Sequence, residues 1–157
     1  MSISTSALIG VALDYTDTSP SFAVGTTVNL SDGGQAVYVQ ASSDCATYSA
    51  VSVRVDNTVV PLTTTNSASS KVIGFAQTSI GSAYYGWVQI GGKPRVKVLA
   101  ACQPNVPLFT TSTAGSLDDA TVTAGLIAGL VATTSAASAS APTCVAGYPH
   151  VFTGLNA

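Results

Sequence analysis

The sequence predicts a mainly β fold: a small β-barrel, tulip-like or sandwich domain, with an extended N-terminal arm and little helix. Helical surfaces draw on Glu, Lys, Arg and Gln, yet this chain has no Glu and only Arg54, Lys71, Lys93, Arg95 and Lys97 as basic residues. Ser and Thr supply 40 of the 157 residues, and Val supplies 19 against 10 Leu. Thr and Val suit pleated strands, where branched side chains pack against their neighbours. Short alternating runs are also separated by turn residues, with no long helical pattern between them. With 46% hydrophobic and 8% charged residues, the chain lies outside the disordered class. A chain of this size buries about two-thirds of its surface, so a core forms without metal or disulfide staples.

Residues 1–21 read as the arm, polar except for an apolar patch that includes Leu8, Ile9, Val11 and Leu13. Residues 22–157 read as one β-rich domain. Asp32-Gly33-Gly34 is a turn between Val28-Asn29-Leu30 and a strand over 35–41. Val51, Val53 and Val55 alternate with Ser52 and Arg54, which places the three valines on one face. Asp56-Asn57 then predicts a two-residue hairpin into 58–62, because Asn tolerates positive φ. A strand is expected over 71–77. A second hairpin is expected from 84–90 through Gly91-Gly92 into 93–100, with Val96 and Val98 inward and Arg95 and Lys97 toward water. Pro94 suits an edge or strand start. Strands are also expected over 107–111 and 121–131, and Ser116 could cap a short helix over 117–124. Residues 132–142 (ATTSAASASAP) form a low-complexity spacer, after which 144–152 turns apolar and returns to pair with the main sheet.

Candidate chemistry is sparse. Cys45, Cys102 and Cys144 are an odd, widely spaced set, which predicts buried thiols made in a reducing cytoplasm, with one disulfide plus a free thiol, or an intersubunit bridge, as alternatives. Zinc sites use paired ligands at short spacing, and none occurs here. His150 is the single histidine, so any Ser-His-Asp arrangement would need it; beside Pro149 it reads as structural. Asp118-Asp119 diverge on any regular element, which disfavours paired-carboxylate hydrolysis. Asp14 and Asp17 fall short of a calcium loop. Gly91-Gly92-Lys93 lacks phosphate-loop spacing. Tyr84, Tyr85 and Trp87 could stack on a sugar, but core or subunit packing explains them more simply. The expectation is therefore a non-enzyme with no catalytic residue, cofactor or metal. Nucleic acid is an unsuitable partner because the cations are few. No run reaches the roughly 18 apolar residues of a membrane span, and the start lacks the basic region of an export signal.

One set of strands carries a likeness. The order Tyr38-Val39-Gln40-Ala41, Ile73-Gly74-Phe75-Ala76-Gln77, Tyr85-Gly86-Trp87-Val88, Leu108-Phe109-Thr110-Thr111 and Ala114-Gly115-Ser116-Leu117-Asp118-Asp119 resembles the head decoration, or capsid cement, proteins of tailed bacteriophages. That resemblance implies a β-rich barrel or tulip made in the host cytoplasm and carried on the outer capsid surface of the virion. It further implies a homo-oligomer, commonly a trimer, that grips the major capsid protein through its N-terminal arm. By position, Leu8, Ile9, Val11, Leu13 and Tyr15 are then the capsid-contact residues. A net charge of -2 agrees with the outer face, since a protein lining the inside would meet packed DNA. Another virion part, such as a tail or head-fibre module, is an alternative, as is a carbohydrate-binding module.

Overall fold

The computed structural model describes residues 11–123 and 125–152, apart from the side chains at 148 and 152. The strands are β1 (Thr16–Asp17), β2 (Thr27–Asn29), β3 (Gln35–Ala41), β4 (Ala50–Val53), β5 (Thr58–Pro61), β6 (Val72–Ala76) and β7 (Tyr85–Gln89). They continue as β8 (Gly91–Gly92), β9 (Pro107–Thr110), β10 (Leu117–Asp118), β11 (Leu126–Ala132) and β12 (Cys144–Phe152), with a 3-10 turn at Ser67–Ser69. The expected mainly β architecture is what the chain adopts.

β3 closes the first sheet on itself. It pairs in parallel with β5 and antiparallel with β7, while β5–β4, β4–β6 and β6–β7 complete a five-stranded barrel. Period-2 alternation then divides each strand between two environments. Val37, Val39, Ala41, Val51, Val53, Val59, Ala76, Val88 and Ile90 fill the inside. The barrel is narrow enough that a side chain at Gly74 would not fit: a Cβ there would lie 2.8 Å from Val88 Cγ2 and 3.1 Å from Val53 Cγ2. On the outside of β4 and β6, Ala50, Ile73 and Phe75 join Leu62 beneath a second sheet, ordered β10-β9-β11-β12-β8. That sheet contributes Leu108, Leu117, Ile127, Leu130, Cys144 and Ala146 to the shared core.

Some local expectations change. The β4–β5 connection is a three-residue loop, closed by the Arg54 N–H donating to Thr58 O, with Asn57 at φ 61. This is the type I turn with a left-handed third residue that such loops favour. Val55 therefore leaves the strand face and is 82% exposed. Asp56 Oδ1 accepts the backbone N–H and hydroxyl of Thr58, and these bonds hold its carboxyl below the usual range.

The expected 84–100 hairpin does not form. Gly91–Gly92 instead pairs with Ala146 and Gly147 of β12, carrying the chain across to the second sheet. Pro94 has no N–H to offer a ladder, and the Lys93 N–H is taken by Asp32 Oδ2 at 3.0 Å. Burial along this segment still alternates as expected: Val96 and Val98 are buried, and Arg95 and Lys97 are exposed. The helix expected over 117–124 is absent among the described residues. Leu117 is the apolar residue that must be buried there, and a two-residue strand paired to Thr110 buries it. Of the run expected over 121–131, the part from 126 onward lies in β11, with a register shift at Gly129, φ +82. The low-complexity spacer is fastened down by the Ala136 N–H to Cys102 O and by the Val98–Ser140 bridge.

Asp32 ties the barrel to the second sheet. Its Oδ1 accepts the Gly34 N–H, and its Oδ2 accepts the Lys93 N–H and Gln89 Nε2. Asp32→Ala leaves these donors unpaired, at a cost of about 2 kcal/mol. A thermal melt should show Tm lower by roughly 4–8 °C; an unchanged Tm contradicts the role.

All three cysteines are free and buried. Burial pushes the Cys45 and Cys144 thiols up to about 12, and Cys102 also rises through burial and then its neighbours Asp119 and Asp118. Folded thiols that keep their protons longer than unfolded ones stabilise the fold below the ordinary thiol pKa. That stabilisation is lost as pH rises from about 9 toward 12. A disulfide reagent such as DTNB at pH 8 should titrate no thiol in the folded chain and all three in urea. Prompt reaction of the native protein contradicts this burial.

Candidate functional site

The face of the barrel opposite the second sheet is aromatic. On β3 and β7 the outward positions are Tyr38 and Tyr85 with Trp87, and the register sets Tyr38 directly across from Trp87. Their ring centroids are 5.1 Å apart; Phe22 lies edge-on to both, at 5.3 Å from Tyr38 and 5.4 Å from Trp87. Tyr85 stacks on Tyr38 at 6.2 Å, with 15° between the planes. Edge-to-face and offset pairs of this kind match the ring quadrupoles.

Residues 11–21 fasten onto this cluster. β1 pairs with β7, Thr16 opposite Gly86 and Asp17 opposite Tyr85. The Tyr38 hydroxyl donates to Asp17 Oδ2 at 2.6 Å and accepts the Ser21 N–H at 3.1 Å. Burial and this bond to Asp17 raise the Tyr38 phenol above its ordinary range.

Of the five residues expected to contact a capsid, Leu8 and Ile9 lie outside the described residues. Val11 and Leu13 are buried in the chain's own cluster with Val28, Leu30, Ala36, Tyr38 and Trp87. Tyr15 projects outward, 65% exposed. Phe22 and Val24 show 43% and 40% of their surface, and sequence reasoning missed both. The arrangement is a rigid aromatic base carrying a half-exposed apolar rim. Tyr, Trp and Phe anchors of this kind concentrate binding energy at protein interfaces.

The remaining candidates lie elsewhere. His150 is exposed on β12, opposite Ala128, and lines the open end of the barrel with Lys71 and Asn57. Asp118 and Asp119 come together with Cys102, their ligand atoms within 4.8 Å of one another. Asp118 Oδ1 already accepts the Asp119 N–H, and Asp119 Oδ2 the Gln103 N–H. Burial lifts the Asp118 carboxyl above its ordinary range.

No family model matches this chain, and no curated protein matches it. Among solved structures it is similar to the crystal structure of the head fiber gp8.5 N base in bacteriophage phi29. The TM-score is 0.53 at 10% identity, covering 74% of this chain and 97% of that one. The two share a fold.

Trp87 and Tyr15 should separate structure from surface. Trp87→Ala, emptying a buried ring site, should cost about 3–5 kcal/mol in urea unfolding. Tyr15→Ala should stay within about 0.5 kcal/mol of the parent. Equal losses contradict the division between base and rim.

Proposed function

We propose that the chain is a structural protein of a tailed-bacteriophage virion, seated on the outer surface of the head and decorating its shell. The observation that carries this reading is the aromatic face, a fixed base with Tyr15, Phe22 and Val24 offered outward. The likeness to a head fibre base supports a phage-head setting, and the strand order that resembles decoration proteins supports the cement role. Cement acts by multivalency: modest contacts to several capsid subunits combine into high effective concentration. Several copies of this chain, three in the simplest arrangement, would share each attachment point on the major capsid protein. Such a composite site is complete only in the mature, expanded lattice.

The likeness also favours a second reading, in which the domain is the base of a head fibre. Copy number separates the two: mass spectrometry of purified virions should find hundreds of copies for a cement and far fewer for a fibre base.

Co-sedimentation tests the shared claim. The purified chain should pellet with emptied, expanded heads and stay in solution with dissociated capsid subunits. Replacing Tyr15 by Ala and Phe22 by Ser should weaken head binding about tenfold or more. Equal binding to free subunits and to heads contradicts the composite site.

A further inference from the structure

The barrel has an open end that packing does not fill. At the ends of its strands, Val37, Val53, Val72 and Ile90 line a cavity of about 350 Å³. Ligand pockets start at about this size and combine apolar walls with a few placed polar groups. Those polar groups are present at the rim. Asn57 Oδ1 is buried and has no hydrogen-bond partner. An unmet acceptor of this kind costs free energy until a donor reaches it. The residue's left-handed backbone, φ 61, sets the amide against Gly25, where a Cβ would lie 2.6 Å from Asn57 Nδ2. Its amide torsion is soft, so it can turn toward the cavity without giving up a bond at Oδ1. Lys71, exposed, lines the same cavity, its main chain fixed by the N–H bond to Val53 O at 2.8 Å.

An apolar slot, an acceptor lacking a donor and a cation together specify one ligand chemistry. We propose that the barrel mouth binds an acylated aliphatic amino acid, free or as the last residue of a polypeptide. The aliphatic side chain enters among Val37, Val53, Val72 and Ile90. The amide N–H donates to Asn57 Oδ1, and the α-carboxylate meets the Lys71 ammonium. This site is separate from the aromatic face and does not rest on the decoration reading.

N-acetyl-L-leucine carries all three features and serves as the probe. Titrated into the full chain and followed by methyl NMR, it should give saturable shifts at Val37, Val53, Val72 and Ile90. N-acetylglycine lacks the side chain, 4-methylpentanoate the N–H and N-acetyl-L-leucinamide the charge. Each should bind at least about fivefold more weakly. Lys71→Gln, at an exposed position, should abolish the preference for N-acetyl-L-leucine over its amide. An acetylated tripeptide ending in Leu that binds tighter than N-acetyl-L-leucine identifies a chain terminus as the ligand; equal affinity identifies the free compound. Absence of saturable shifts up to about 20 mM in the folded protein, or equal binding of acid and amide, overturns the proposal.

Discussion

Everything in this chain is arranged around the double pairing of β3. One edge meets β5 in parallel and the other meets β7 antiparallel, so the sheet has no choice but to curl. Closure pairs the edges of β3 and β7 with each other and gives an inside lined mainly by Val, Ile and Ala side chains, tightest at the level of Gly74. Gly74 marks the limit, since even a methyl group there would collide with Val88 and Val53. Because alternate residues point out, closure also turns the barrel into a platform with two unlike outer faces. The β4–β6 side carries Ala50, Ile73 and Phe75 and seats the second sheet. The β3–β7 side carries Tyr38, Tyr85 and Trp87 and seats residues 11–21.

Those two dockings differ in chemistry. The second sheet is held by aliphatic packing, with Asp32 as a polar clasp where the chain crosses at Gly91–Gly92. The N-terminal segment is held by rings and by the Tyr38–Asp17 hydrogen bond. Aliphatic residues on this segment serve the chain's own core, while Tyr15, Phe22 and Val24 remain on offer. In the proposed attachment, a docked segment with an aromatic rim would be preorganised and lose less conformational freedom than a loose arm.

Much of this was legible from residue order. Alternation in 51–53 and 95–98 identified which side chains face in, and Asp32-Gly33-Gly34 marked a real turn into the strand over 35–41. Strand pairing was harder to read, because it depends on distant partners. Nothing local to Gly91-Gly92 distinguishes a hairpin turn from a crossing strand; the difference lies in β12, more than fifty residues away, and in the carboxylate of Asp32. Val55 was misread for a smaller reason, a one-residue extension of the loop that Asn57 permits. At the aromatic face, Tyr85 and Trp87 were legible as packing residues. The rim residues Phe22 and Val24 were not, because they follow no strand period and only the path of residues 11–24 brings Phe22 against Tyr38. The barrel mouth had no sequence signal either: its lining comes from several strands that meet only on closure.

On the function proposed above, the aromatic face seats the chain on the outside of a phage head by shape. Cryo-electron microscopy of an intact virion containing this chain examines that directly. Copies should stand on the outside of the head with Tyr15, Phe22 and Val24 pressed into the shell. Finding that rim open to solvent, or finding the chain in the tail, would contradict it.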